Sequence, residues 1–392
     1  MLKRISLGLL PKVLIAIALG ILLGNWLPTW SMRIFVTFNE LFSQLLGFLV
    51  PLIILGMVAP AIGDMGKKAG KMLLITVVFA YAATLFAGFL SYGTAMITFP
   101  HIVDINQISH TLTDENNLTP YFTMTIPPLM SVMTALVLSF LLGLGISKIT
   151  GESLKNMFDE FKNIISLAIS KVIIPLLPLH IFGIFINITQ SGHIASMLSL
   201  FIKIIGIIFA LHVAVLLLQY IVAGIVTRRN PFKLLLTMLP AYFTALGTQS
   251  SAATIPVTLK QTLANKVNEK VADFVIPLCA TIHLSGSTLK IVACAIALML
   301  MHGDAVVASD MIYFICMLGV VMVAAPGVPG GAIMASISVL QSILGFGEAQ
   351  IALMIALYIT MDNFGTACNV TGDGALALII DKLLYKKEEP QK

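Results

Sequence analysis

Apolar runs separated by short polar segments follow one another along almost the whole chain. Clear examples cover residues 13–27, 73–97 and 198–226. A run of about 20 apolar residues forms a helix long enough to cross the roughly 30 Å hydrocarbon core of a membrane. The first run follows Lys3 and Arg4 and shows no small-residue cleavage site, so we interpret it as a span rather than a signal peptide. The pattern predicts an all-α integral membrane protein.

Basic residues are concentrated in alternate loops, which indicates how the chain is oriented. The clusters lie at residues 3–12, 67–71, 148–162, 228–233, 260–270 and 382–387. Because Lys and Arg favour the cytoplasmic side, this pattern predicts a multi-pass protein of a cell inner (plasma) membrane with both termini cytoplasmic. Trp26 and Trp30 follow the first span, where interfacial aromatic residues belong.

Two apolar segments break this alternation because the loops before and after each of them lie on the same side. One lies between the basic loops at 228–233 and 260–270, and its middle, 248–256, is small and hydroxylic. The other lies between the acidic loops near 304–310 and Glu348, and its middle, 325–331, is rich in Pro and Gly. Two re-entrant hairpins of opposite sense are therefore predicted, a pattern that indicates an inverted-repeat transporter with a site near the membrane midplane.

Composition narrows the classes further. Hydrophobic residues make up 58% of the 392 residues and charged residues only 10%, whereas a soluble domain carries about 25% charged residues. The net charge of +5 does not indicate a nucleic-acid partner, because the basic residues lie in short loops. No disulfide, zinc site or cofactor is expected, since the cysteines show no paired spacing. They are Cys279, Cys294, Cys316 and Cys368.

Four polar residues lie on one face of the last predicted helix. Asp362, Thr366, Asn369 and Asp373 stand at offsets of 0, 4, 7 and 11, which fall in one stripe at about 100° per residue. Charged groups at membrane depth are costly and mark functional sites. Carboxylate and amide oxygens suit a cation or a substrate ammonium group. Hydrogen bonding between helices is the alternative interpretation.

A helix break with two basic residues precedes the second hairpin. Gly286, between two serines, can unwind the helix and free carbonyl groups for an ion. Lys290 lies seven residues after His283, on the same helix face. Lys290 pairs with a carboxylate such as Asp373, serves as a fixed internal cation, or extends to the membrane surface. His283 is either a proton carrier or an ordinary hydrogen-bonded histidine.

These motifs resemble the dicarboxylate/amino acid:cation symporters, which include glutamate and neutral amino acid transporters. The resemblance is carried by Asp362-x-x-x-Thr366-x-x-Asn369-Val370-x-Gly372-Asp373, by the Ser250-Ser251…Thr254-Ile255-Pro256 tip and by the Gly327-Val328-Pro329-Gly330 tip. It implies eight transmembrane helices plus two re-entrant helical hairpins, scaffold and transport domains with elevator movement, and a homotrimer in membrane lipid.

The implied organisation follows the chain. Residues 1–160 form mainly the scaffold spans one to four, although span three is expected to belong with the transport domain, and 161–230 form spans five and six. Residues 231–268 form the first hairpin, 269–303 the broken span seven, 304–345 the second hairpin, 346–385 span eight and 386–392 a cytoplasmic tail.

The resemblance also implies site residues. Asp362 and Thr366 would hold the substrate's amino group. Its carboxylate would be held by Asn369 and by the tip at Ser250 and Ser251. The second tip, Val328, Pro329 and Gly330, would close over the substrate, and Ser287 and Gly365 would also line the site. One sodium ion would bind Asp373 and carbonyls near Cys279, His283 and Asn369. A second would bind carbonyls near Thr281, Met322, Val323 and Ala325.

Departures from the family pattern shape the functional expectation. Gly365 and Gln249 stand where acidic-substrate members carry an arginine, and the last arginine is Arg229. Loss of a bidentate guanidinium favours a neutral amino acid, and Gly365 is expected to leave open space there. An acidic amino acid or C4-dicarboxylate with Lys290 as anion partner remains the alternative.

A second departure affects coupling. His283-Leu284-Ser285-Gly286-Ser287 replaces the family's Asn-Met-Asp-Gly-Thr, which favours fewer sodium ions per cycle and allows proton coupling through His283. The second hairpin is also one residue shorter than the pattern. An ion channel and an uncoupled sensor are the alternatives of another class. An enzyme is not expected, because no nucleophile elbow surrounds the serines at 250 and 251.

Overall fold

The computed structural model describes residues 9–67, 71–102, 118–190, 194–323, 325 and 330–384. Val328 and Pro329, expected at the substrate site, and the expected tail at 386–392 lie outside these residues. All regular secondary structure in the described part of the chain is helical, in agreement with the predicted fold class.

Fifteen α-helices make up the described structure and are numbered here in chain order. They are α1 Leu9–Leu23, α2 Thr29–Lys67, α3 Lys71–Thr98, α4 Val132–Lys148, α5 Ser153–Ala168, α6 Ile174–Gln190, α7 Ile194–Thr227, α8 Pro231–Thr248, α9 Ser251–Ala264, α10 Glu269–Ile282, α11 Ser285–His302, α12 Ala308–Val323, α13 Gly331–Leu344, α14 Glu348–Thr360 and α15 Asp362–Leu384. A 3₁₀ turn, Phe99–His101, follows α3, and a π-helical turn, Ile169–Ile173, joins α5 to α6.

Five helical segments within the described ranges are long and apolar enough to cross a membrane. They cover 29–63, 71–101, 153–190, 198–227 and 269–302. The pair α14 and α15 passes the same test together, although the two helices meet at a bend of 62°. The predicted series of helices that are long and apolar enough to cross a membrane is thus present, whereas the number of eight spans stays a prediction.

The outer helices expose apolar side chains, while the central helices bury theirs. Leu74 on α3, Val137 on α4 and Ile225 on α7 are 66%, 65% and 72% exposed. Such surface is unfavourable in water and compatible with lipid. By contrast, every residue of α11 from Ser285 to Met299 is buried.

Helices α8 and α9 form an antiparallel pair. Gln249 ends α8 in the left-handed conformation with φ 54°, and the side chain of Ser250 caps α9 by accepting a hydrogen bond from the Ala253 N–H. At the opposite ends, the Asn265 side chain donates to the Leu234 carbonyl at 3.0 Å. The chain therefore enters and leaves this pair at one end. Its re-entrant position in a membrane stays a prediction.

Helix α15 lies at the centre of the bundle. It packs against α7, α8, α9, α10 and α11. Its residues from Gly365 to Ile380 are all buried. The polar stripe of α15 consequently faces protein rather than lipid.

The contact between α2 and α4 offers a test of this packing. A Cβ atom on Gly143 would lie 2.6 Å from the Ile62 Cβ and 2.8 Å from the Ala59 carbonyl oxygen, whereas one on Gly145 would meet nothing within 4 Å. We expect Gly143→Leu to separate the helices and to cost about 1–3 kcal/mol, as overpacking does. Thermal unfolding in detergent should show a lower Tm for Gly143→Leu and little change for the matched control Gly145→Leu. Equal Tm values would contradict the close approach of α2 and α4.

Candidate functional site

The polar stripe of α15 is present as predicted by its spacing, and all four of its side chains are buried. Asp362, Thr366, Asn369 and Asp373 are 5%, 7%, 2% and 1% exposed. An ionised carboxylate taken out of water is costly unless it is paired and hydrogen-bonded. The partners of the two aspartates therefore define the site.

Asp373 pairs with His283. The imidazole Nδ1 donates to the Asp373 Oδ1 at 2.8 Å, and both side chains are essentially fully buried. His283 can reach the carboxylate because it lies between α10 and α11, where its backbone is extended (φ −104°, ψ 96°). The break in this helical segment thus brings the His283 side chain to Asp373.

Asp362 pairs with Lys290. The Lys290 Nζ donates to Oδ1 of Asp362 at 2.8 Å, and the lysine is 0% exposed. The other carboxylate oxygen, Oδ2, accepts a hydrogen bond from the Gly330 N–H at 2.8 Å. Lys290 therefore does not extend to the membrane surface, and its carboxylate partner is Asp362 rather than Asp373.

Gly365 is what allows Lys290 to lie against α15. A Cβ atom at this position would stand 2.7 Å from the Lys290 Nζ and 2.9 Å from its Cε. The expectation of open space at Gly365 was wrong, because the lysine side chain fills it. The ammonium group of Lys290, on α11, thus lies directly against this turn of α15.

Asn369 binds the start of α11. Its Oδ1 accepts hydrogen bonds from the N–H groups of Gly286 at 2.8 Å and Ser287 at 3.4 Å, and its Nδ2 donates to the Ser287 Oγ at 3.1 Å. These bonds satisfy backbone donors that a helix start leaves without partners. A role for Asn369 and Ser287 towards a substrate carboxylate stays a prediction.

The hydroxylic tip between α8 and α9 is organised by local bonds. The Thr254 hydroxyl donates to the Ser250 carbonyl at 2.8 Å and lies 3.0 Å from the Thr248 hydroxyl. Ser251 is 5% exposed, and α9 packs against α15. The expected substrate contacts of Ser250 and Ser251 stay predictions.

The residues expected to bind sodium fall into different environments. Cys279 and Met322 are buried, and Thr281 is exposed at its side chain. The carbonyl of Met322 accepts a hydrogen bond from Ala325 N–H at 3.2 Å. Val323, which ends α12, is half-buried. Their roles as carbonyl ligands stay predictions.

Three further polar residues contact the site although the sequence does not single them out. The Tyr358 hydroxyl donates to the Ser287 Oγ at 3.1 Å, Gln219 Nε2 donates to the Ser285 Oγ at 3.2 Å, and His212 Nε2 lies 3.0 Å from the Gly286 carbonyl. His212 and Gln219 stand seven residues apart in an apolar run. That spacing puts both on one face of a helix and is a signal that could have identified them.

One known family matches almost the whole chain. Residues 9–383 match the sodium:dicarboxylate symporter family. The chain belongs to this family. The family resemblance seen in the motifs is thereby confirmed, and membership indicates a multi-pass membrane transporter.

Individual members of the sodium:dicarboxylate symporter family align over different lengths. A serine/threonine transporter SstT of Acinetobacter baumannii (strain AYE) is 26% identical over 393 residues, which covers 96% of each protein. The excitatory amino acid transporter 1 of Bos taurus is 30% identical over 246 residues, 61% of this chain and 44% of that protein. The Homo sapiens excitatory amino acid transporter 1 is 29% identical over the same lengths.

The Lys290–Asp362 pair can be tested by its effect on stability. Lys290→Met leaves a buried carboxylate without its counter-charge, a change that costs about 3–5 kcal/mol for a buried pair. Adding Asp362→Asn removes the stranded charge, so we expect the double variant to regain most of the lost Tm. Thermal unfolding in detergent measures both, with Lys203→Met, an exposed lysine on α7, as control. An unchanged Tm in Lys290→Met would contradict a buried ion pair.

Proposed function

We propose that the protein is a secondary active transporter that couples sodium movement to uptake of a small amino acid, with a neutral amino acid favoured. The observation that carries this proposal is the buried stripe from Asp362 to Asp373 on α15, in a chain of the sodium:dicarboxylate symporter family. In lipid, buried carboxylates of this kind mark ion and substrate pathways. The serine/threonine transporter that aligns over 96% of both chains supports an amino acid substrate.

The preference for a neutral substrate rests on the absence of a guanidinium group. Gly365 and Gln249 occupy the positions where acidic-substrate members would carry arginine, and no arginine follows Arg229. A lysine ammonium binds as a point charge and does not replace the bidentate arginine–carboxylate contact.

An acidic amino acid or C4-dicarboxylate is the second candidate. The observation that favours it is the Lys290 Nζ, which would lie 2.7 Å from a Cβ at Gly365. The ammonium group thus stands where an arginine side chain at position 365 would leave α15. In this candidate function it would pair with the second carboxylate of an acidic substrate.

The transport cycle proposed here is an elevator movement of a transport domain against a scaffold within a homotrimer. The proposed architecture has eight spans and two re-entrant hairpins, with both termini cytoplasmic. The antiparallel pair of α8 and α9, which the chain enters and leaves at one end, supports the first hairpin. The pairing of His283 with Asp373 supports fewer sodium ions per cycle, with proton coupling as the alternative.

Uptake into proteoliposomes tests the substrate and the coupling ion together. Labelled L-serine, L-alanine, L-aspartate and succinate are compared under an inward sodium gradient and, separately, a proton gradient. We expect concentrative, sodium-dependent uptake of serine or alanine that exceeds uptake of the two acidic compounds. Preferred uptake of aspartate or succinate would replace the neutral substrate by the second candidate, and uptake driven only by the proton gradient would contradict sodium coupling.

Asp373 is expected to be essential for this uptake. Asp373→Asn removes the carboxylate charge while keeping its size, and charged hydrogen bonds contribute about 1.5–3 kcal/mol, equivalent to roughly tenfold or more. We expect sodium-driven uptake at subsaturating sodium to fall at least about tenfold. Asp310→Asn, at an exposed aspartate of α12, serves as the matched control. Equal uptake by both variants would contradict a role of Asp373 in coupling.

A further inference from the structure

We propose that Lys290 is a specificity-determining residue whose tethered ammonium group occupies the place of a substrate ammonium group. The site would then bind small carboxylates whether or not they carry an α-amino group, so that hydroxy acids and unsubstituted acids are ligands beside the amino acids. This inference rests on the proposed function, because it takes Asp362 as part of the substrate site.

The first step of the argument is the charge on Asp362. Its single negative charge is already matched by the Lys290 Nζ at 2.8 Å, and its other oxygen accepts the Gly330 N–H at 2.8 Å. A substrate ammonium group on the same carboxylate would approach Lys290 within a few ångströms. In a buried site, where water screens poorly, two like charges at this separation repel strongly. An α-amino group therefore gains little from Asp362.

The second step is the aromatic surface. The Lys290 Nζ lies 3.4 Å from the centroid of the Tyr358 ring. The face of an aromatic ring attracts cations and is a common recognition element for ammonium ligands. Both groups that would recognise a ligand ammonium, a carboxylate and an aromatic face, are thus already in contact with the ammonium group of Lys290.

The third step is the fit of the lysine to its surroundings. Lys290 is 0% exposed, and a Cβ at Gly365 would overlap its Nζ and Cε at 2.7 and 2.9 Å. Only glycine at 365 leaves room for this path across α15. The lysine and the glycine therefore form a matched pair, which shows that the ammonium position is built into the packing of α11 and α15.

The fourth step is what a ligand must supply. Lys290 engages both Asp362 and the face of Tyr358, the two groups that would recognise a ligand ammonium. A ligand therefore gains nothing at this place from an amino group of its own. The structural alternative is an ion pair that only joins α11 to α15, and in that case Lys290 would have no effect on the choice between ligands.

Ligand pairs that differ only in the amino group separate these alternatives. Calorimetric titration of the purified full-length protein in sodium buffer gives Kd for L-alanine and propionate, and for L-aspartate and succinate. For whichever of the two ligand pairs binds to the wild-type protein, we expect the Kd values of its two members to agree within about threefold. In Lys290→Met, which frees Asp362 for a ligand ammonium, the amino-bearing member should bind at least about tenfold more tightly than its partner, a difference of about 1.4 kcal/mol.

Further variants keep the test decisive if Lys290→Met does not fold. In the double variant Lys290→Met/Asp362→Asn the preference should disappear again, because no carboxylate remains for the amino group. Lys203→Met, on the exposed face of α7, should behave like the wild type.

The outcomes distinguish this inference from the proposed function. The inference alone is overturned if the wild-type protein binds the amino acid of a pair at least tenfold more tightly than the ligand that lacks the amino group. The same holds if the double variant keeps a tenfold preference for the amino-bearing ligand. Binding of none of the four compounds overturns the proposed function and the inference with it.

Discussion

A carboxylate buried inside a membrane protein needs a close hydrogen-bond donor, and the central helices are arranged around that requirement. The two aspartates of α15 meet two basic side chains from one short stretch of the neighbouring segment, Asp373 with His283 and Asp362 with Lys290. Lys290 lies on α11 and His283 just before it, so the two pairs hold this segment against α15 over several turns. Glycine makes the approach possible, since a Cβ on Gly286 would lie 2.7 Å from the Gly365 carbonyl oxygen.

The coarse architecture could be predicted from the sequence because it depends on local patterns. Apolar runs determine which segments can enter a membrane, and the spacing of Asp362 and Asp373 determines that they share a helix face. The change of direction at Gln249 and Ser250 was also visible as a polar, hydroxylic interruption. Each of these features depends on residues close together in the chain.

The partners within the site could not be predicted in the same way. Whether Lys290 meets Asp362 or Asp373 depends on how α11 is rotated and shifted against α15, which one sequence does not specify. The same holds for Tyr358, which looks like an ordinary aromatic residue of an apolar helix until the lysine is seen over its ring. The role of Gly365 was misjudged because the residue that fills its space comes from 75 positions earlier in the chain.

The internal pairing at Asp362 has an electrical consequence. Moving one elementary charge through the membrane potential changes the free energy by about 2.3 kcal/mol per 100 mV. The Asp362 carboxylate and the Lys290 ammonium carry opposite charges 2.8 Å apart and are buried together. Any displacement of α11 and α15 along the membrane normal would carry both through the field at once. The pair would therefore contribute almost nothing to the voltage dependence of that movement, whereas a carboxylate alone would oppose or assist it.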